Sequence, residues 1–356
     1  MKEQCVVCPM KVSWLSGRVL GNDLCGTTQT SIAEELCKLG HTVNLYSPGQ
    51  IETSQFRHIQ IPRGSIKGLH SSTVVRSLRS KIKDINSSDH VLIDWRLHAI
   101  TPLITVPWTL IDRGPPADRN FLSWFQWIQW KRAWKKTTYG TAVSQAHAEF
   151  INLKTKTHLA NIAIIQAGVD TEMFRKGTKS GGLKLSYQGR VDKHRGVMAL
   201  PKILEILNEK GVDASLHIHG DGNALIALQK LDIPNLHVTS TVSSSTLAEK
   251  LSNYDVGFLP MPESNVWKLA SPLKRSEYLA SGMIICGIDH TGHRIQDSGD
   301  WIQLFSQQRF IVDCSEWLAG LDRESLQKLQ DSSRHYAVEN LLWSSSAKVL
   351  VQSISS

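Results

Sequence analysis

Along the chain, short apolar runs alternate with stretches whose apolar residues recur every three or four positions, the signature of strands and helices taking turns in a parallel α/β sheet. "CVVCPMKVSWLS" (5–16) reads as a strand, "GRVLGNDLCG" as a glycine-bearing loop, "TTQTSIAEELCKLG" as a helix stopped at Gly40, and "HTVNLYSPG" as the next strand and turn. "HVLIDWR", "VPWTLID", "TAVSQAHAEF" and "NIAIIQAGVDTEMF" continue the series. At 175–184, "RKGTKSGGLK" shifts to Gly, Lys and small polar residues and reads as a linker. The alternation then restarts: strand "LKLSYQGRV", helix "MALPKILEILNEKG", strand "ASLHIHGDG", helix "ALIALQKL", strand "NLHVTST", helix "SSTLAEKLSNYD", strand "VGFLP", helix "SPLKRSEYLASG" and strand "GMIICGI". Two doubly wound parallel-sheet domains follow, with ligands expected at the carboxyl ends of the strands and in the cleft between the halves.

Length supports two domains, since 356 residues exceed what one ordinary core holds. With 41% hydrophobic and 20% charged residues the chain reads as globular, and no segment is apolar and long enough to predict a membrane span or a signal peptide. Six scattered cysteines, including a lone Cys5–Cys8 pair in an apolar strand, read as buried reduced thiols and so predict a cytoplasmic protein. A net charge of +8 implies anionic company.

Candidate chemistry concentrates at strand ends of the second half. "YQGRVDKHRG" sets Gly189 and Arg190 after a strand and Arg195 at the next helix, a pattern suited to a diphosphate because guanidinium forks bind oxyanions and glycine lets backbone approach. "HGDG" adds Gly220 and Gly222. In "SPLKRSEYLASG", Ser271 predicts the N-cap, Pro272 the first helical residue, and Lys274 the third, against the positive end of the helix dipole. A phosphate held there would reverse the sign of that conflict; solvation, or pairing with Glu277, is the alternative.

"QAGVDTEMF", "YQGRVDKHRG", "HIHGDG", "YDVGFLPM" and "SPLKRSEYLASG", in this order, resemble the second half of a family 4 glycosyltransferase (glycosyl transferases group 1), with a looser likeness in "GHTVNLYSPG" and "TAVSQAH". The resemblance implies a GT-B fold, two Rossmann-like domains facing a central cleft. The expected boundaries are 1–174 for an acceptor-side domain, 175–335 for a nucleotide-sugar-binding domain, and 336–356 for a C-terminal helix returning to the first. It implies a retaining glycosyltransferase that needs no metal or other cofactor and moves a sugar from a nucleotide-diphosphate sugar to a glycan or lipid-linked acceptor. By position, Arg190, Arg195 and Lys274 would hold the donor diphosphate and Glu277 the ribose hydroxyls. Gly189, Gly220, Gly222, Val242, Ser271, Pro272 and Leu273 would line the donor site, with the Ser16–Gly26 loop, through Ser16, Gly17 and Gly26, closing over the phosphates.

Two departures stand out. The family's first glutamate of a pair eight residues apart falls at Leu269, and its usual first-half histidine is replaced by Asp112 or Arg113, which with Asp118 and Arg119 become candidates for acceptor or sugar contacts. The alternatives are a catalytically silent nucleotide-sugar or glycan-binding subunit and another GT-B enzyme, such as a nucleotide-sugar epimerase.

"FLSWFQWIQWKRAWKK" carries Trp124, Trp127, Trp130 and Trp134 beside Lys131, Arg132, Lys135 and Lys136. As a helix it predicts either a peripheral contact with an anionic membrane or a packed helix with a basic tail. No nucleic-acid recognition motif accompanies the charge, so nucleic acid is not an expected partner.

Overall fold

The computed structural model describes residues 8–21, 26–66, 68–116 and 122–355. It divides into two compact units, Met1–Gln166 with Trp343–Ser356, and Ala167–Leu342.

The first unit is built on β1 (Lys11–Leu15), β2 (Thr42–Ser47), β3 (Arg57–Gln60), β4 (His90–Asp94), β5 (Trp108–Ile111), β6 (Gly140–Ala142) and β7 (Ile162–Ile164). Among the described residues they form one sheet in the order β3-β2-β1-β4-β5-β6-β7, parallel throughout. Such a sheet is stable only with both faces covered, which is why its strands are apolar on both sides. Leu15, Tyr46 and Ile93 pack beneath the His70–Arg79 helix and the 3₁₀ segment Trp95–Leu103, while Leu110 and Ala142 pack beneath the Leu122–Lys136 and Gln145–Thr155 helices. Helix Trp343–Ser355 packs on helix Thr27–Lys38, and Ser346 Oγ donates to the Gln166 carbonyl at 2.9 Å.

The second unit contains β8 (Leu183–Gln188), β9 (Ala214–His219), β10 (Leu236–Thr239), β11 (Val256–Leu259), β12 (Ile284–Ile288) and β13 (Ile302–Phe305), parallel in the order β10-β9-β8-β11-β12-β13. Leu185, Leu216, Val256 and Ile285 centre its core.

The division differs from the expected 174/175 and 335/336 boundaries. Residues 167–182 are tied into the second unit rather than acting as a linker. Val169 N donates to Leu341 O (2.8 Å), Lys179 Nζ to Gly282 O (2.6 Å), and the Arg334 guanidinium to the carbonyls of Thr171, Phe174 and Ala280. Helix Arg323–Asn340 also stays in the second unit, so the return to the first begins at Trp343. Cys8 is exposed, against the buried thiol expected of it, and Cys5 lies outside the described residues.

Each sheet reverses its strand order once, at β1/β4 and at β8/β11, and in open parallel sheets this is where the strands' carboxyl ends leave room for a ligand.

Candidate functional site

At the carboxyl end of β8 the backbone of three strands converges. Gly189 N donates to His219 O (2.9 Å) and Gly220 N to Thr239 O (3.0 Å). The approach is so close that a Cβ on Gly220 would stand 1.8 Å from Gly189 O, and one on Gly222 2.2 Å from Val191 O. Gly189 itself has φ +105°, the left-handed region, and the space beside it holds Lys274 Nζ. The 240–242 loop is tethered there too, Thr241 N donating to Asp221 Oδ2 at 3.3 Å, with Val242 half-buried.

Lys274 comes from the Leu273–Ala280 helix. Pro272, rather than Ser271, occupies the N-cap position and no side chain caps the helix, so Lys274 is its second residue, not its third. Ser271 Oγ instead accepts from Ala167 N (3.1 Å), a partner 104 residues away. The Lys274 side chain folds inward until Nζ lies 4.0 Å from the centre of the Tyr187 ring, sealed from solvent and without a hydrogen-bond partner. Burial, with the Arg195 charge adding to it and Glu277 opposing it, pulls the Lys274 pKa down to about 7. Glu277 accepts from Gln188 Nε2, and burial pushes its pKa up to about 7 against the pull of Lys274 and Gln188. The Gln188 backbone is fixed in turn, its N–H donating to Tyr278 Oη at 3.0 Å.

The two arginines behave differently. Arg190 turns its guanidinium to Asp192 (Nε–Oδ2 3.2 Å, Nη2–Oδ1 3.3 Å) with 59% of its side chain exposed. Arg195 stacks over the Trp267 ring at 4.5 Å, 4.0 Å from Asp192 Oδ2, and its buried Nε has no hydrogen-bond partner. Leu269, where a glutamate was the family expectation, ends the Trp267–Leu269 turn and is buried. Gly189, Arg190, Arg195, Lys274 and Glu277 therefore gather at the β8 end, joined by Gln188, Tyr187, Asp192 and Trp267, which sequence reasoning missed. Gln188 and Tyr187 directly precede Gly189, and that adjacency was the available signal.

In the first unit, Ser16 and Gly17 follow β1 and are held by Asp94 at the end of β4: Ser16 Oγ donates to Asp94 Oδ2 (2.6 Å), Gly17 N to the same oxygen (3.3 Å), and Trp14 Nε1 to Oδ1 (3.2 Å). Burial raises the Asp94 pKa, and these donors work against it. Asp94 was not foreseen. Gly26 opens helix Thr27–Lys38, while 22–25 of the loop, and the acceptor candidates Asp118 and Arg119, lie outside the described residues.

Asp112 is not an acceptor contact but an internal anchor. It is 0% exposed and accepts from Trp130 Nε1 (2.5 Å), Trp134 Nε1 (2.8 Å) and Gly114 N (2.9 Å). His147 completes the knot: its Nδ1 accepts from Val143 N, which leaves Nε2 as the protonated nitrogen, 3.6 Å from Asp112 Oδ2. Arg113 is half-buried next to it. The tryptophan helix divides accordingly. Trp130 and Trp134, four residues apart, share the inward face and are 0% and 1% exposed, so neither is a membrane contact. Trp127 is half-buried against Trp130 and Phe150, whereas Trp124 is 60% exposed beside exposed Phe125, with Lys131 and Arg132 on the surface. Among the described residues no helix is long and apolar enough to cross a membrane.

No protein-family model and no curated protein sequence matches the chain. Solved structures do. Sucrose-phosphate synthase from Thermosynechococcus elongatus superposes with a TM-score of 0.77 at 12% identity, over 97% of this chain and 98% of that one. WaaG, a glycosyltransferase involved in lipopolysaccharide biosynthesis, gives 0.73 at 14% identity over 96% and 99%. Anabaena Alr3699/HepE in complex with UDP-glucose gives 0.69 at 10% identity over 97% and 99%. At such identities the likeness speaks for architecture alone, and it agrees with both sheet orders: the chain has the GT-B fold, with a Rossmann-like parallel sheet in each unit.

Proposed function

We propose that the protein is a retaining, metal-independent glycosyltransferase that takes a sugar from a nucleotide-diphosphate sugar. The observation that carries this reading is the pair of buried cationic nitrogens without a hydrogen-bond partner, Lys274 Nζ and Arg195 Nε, at the carboxyl end of β8. A buried unpaired polar group costs about 1–3 kcal/mol, more when charged, so a chain that keeps two of them side by side gains from a ligand that pairs them. The ligand must be anionic, and a diphosphate, with oxygens on two phosphorus atoms, can reach both cations, with the glycine turns leaving room for it. That HepE was solved with UDP-glucose on the same fold makes a UDP-sugar the first donor to try.

The chemistry follows from where charge appears. As the bond between the sugar and the diphosphate breaks, the leaving phosphate gains negative charge and the ring gains positive charge. Arg195 and Lys274, preorganised and desolvated, stabilise that state more than the bound donor. Arg190 swings from Asp192 to the phosphate when donor arrives, and Glu277, held by Gln188, accepts the ribose hydroxyls. The test is thermal stabilisation by UDP-, GDP-, ADP- and CMP-linked sugars, for the wild type and for Lys274→Ala. One nucleotide class should raise Tm in the wild type and not in the variant; no response to any class would remove the donor site.

The buried Leu269 favours a second reading, a subunit that binds a nucleotide sugar without transferring it. Product formation in the presence of a stabilising donor separates the two.

A further inference from the structure

The three cations at the end of β8 are held in different ways. Arg190 turns to the Asp192 carboxylate and stays largely exposed. Lys274 and Arg195 lie against aromatic faces instead, Lys274 Nζ 4.0 Å from the centre of the Tyr187 ring and the Arg195 guanidinium 4.5 Å from that of Trp267, with Asp192 no nearer to Arg195 than 4.0 Å. The difference has a chemical consequence. A carboxylate neutralises the cation it holds and competes with any anionic ligand, whereas an aromatic quadrupole attracts a cation and leaves its charge in place. Glu277, three residues along the same helix, is engaged by Gln188 rather than hydrogen-bonded to Lys274.

Tyr187 reaches all three cations. It is fully buried in β8, where its backbone is in register with Ile218 of β9. Its ring lies beneath Lys274, and its Oη donates to the Arg190 carbonyl at 2.8 Å. The Arg195 guanidinium stands at the same hydroxyl, opposing the burial that pushes the phenol's pKa up to about 12. The phenol is therefore neutral, and having given its proton to a carbonyl it still has lone pairs for a cationic donor. We propose that Tyr187 is the positioning residue of this cation cluster, fixing Lys274 by its ring and the Arg190–Arg195 segment by its hydroxyl while leaving both buried charges uncompensated for an anion. The inference rests on the transferase reading for naming that anion a nucleoside diphosphate; the hold on Lys274 belongs to the free protein.

The test separates ring from hydroxyl, since Tyr187→Phe keeps the first and Tyr187→Leu removes both. NMR titration of the Lys274 side chain reads the ring without any ligand. The other groups that act on or feel its charge, Arg195, Glu277 on its own helix and His293 after β12, are unaltered in both variants. Tyr187→Leu should lower the Lys274 pKa from about 7 by about one unit or more, because the charged form loses its desolvated partner, and Tyr187→Phe should leave it within about 0.3 unit. Titration calorimetry with UDP, then with ADP and GDP, reads the hydroxyl as well. Affinity for the diphosphate that binds the wild type should fall about tenfold or more in Tyr187→Leu and severalfold in Tyr187→Phe. Leu185→Val, which opens a cavity on the same strand, should lower Tm and move neither reading. A Lys274 pKa equal in the wild type and Tyr187→Leu, an equal shift in Tyr187→Phe or Leu185→Val, or a diphosphate affinity that either tyrosine variant leaves unchanged would overturn the inference. Should Tyr187→Leu fail to fold, Tyr187→Met, ring-free and unbranched, must show the same two losses. If none of the three diphosphates binds the wild type, the transferase reading falls and the Lys274 titration alone decides the inference.

Discussion

Asp112 and Lys274 invite comparison because both are charged, both sit where strands end, and both read from sequence as ligand contacts. The protein treats them in opposite ways. Asp112 has its oxygens occupied by two indole N–H groups and a backbone N–H, with His147 alongside, and nothing is left for a ligand. Lys274 is as thoroughly enclosed at Nζ, yet it has no hydrogen-bond partner and meets the face of the Tyr187 ring. Burial of a charge is therefore uninformative until its partners are counted: the satisfied one holds the fold, and the unsatisfied one is the one we propose as a ligand contact.

The largest expected effect breaks the first half of that comparison. Asp112→Ala strands two buried indole N–H groups and should cost about 3–5 kcal/mol, seen as a large fall in Tm, while diphosphate binding to the protein that remains folded is retained. Lys274→Met should do the reverse, weakening nucleoside diphosphate binding by about 10–100-fold, as loss of a charge-assisted contact does, with Tm unchanged or higher because a desolvated charge has gone.

A subtler test uses pH. Lys274 titrates near 7 in the free protein, and a diphosphate favours its charged form. Ligand affinity should then fall with rising pH above about 7, by up to about tenfold per unit for one linked proton, until the pKa of the complex is reached; the slope should vanish in Lys274→Met. The sign is opposite for folding. Because the folded pKa lies below the ordinary lysine value of 10.5, this group costs stability as pH falls from that value towards 7 and adds no further cost below it. The smallest effect separates the two ends of the tryptophan helix: Trp124→Ser should shift stability by less than about 0.5 kcal/mol, whereas Trp130→Ser, inside the Asp112 knot, should cost about 3 kcal/mol or more.

Much of the fold was legible because a strand buried on both faces is an apolar run, and runs such as "MIICGI" and "VGFLP" admit few other readings. The sequence reading passed over β3 and β13, four residues each and only half-buried, and the His70–Arg79 helix, whose apolar side is only Val74, Val75 and Leu78. At the site, glycines at strand ends and Lys274 at a helix start were readable because local geometry demands them. What was not readable depends on distant partners. Ser271 looks like a cap until Ala167 takes its oxygen, and Asp112 looks like a loop residue until tryptophans 18 and 22 positions later fold over it.

The central claim is the proposal that Lys274 pairs with an anionic ligand. NMR titration of lysine side chains, with Lys274 assigned by its loss in Lys274→Met, tests it directly. The account predicts a pKa near 7 in the free protein and a rise of more than one unit when a nucleoside diphosphate, UDP first and then ADP and GDP, saturates it. An ordinary lysine pKa in the free protein, or one near 7 that no diphosphate moves, would contradict it.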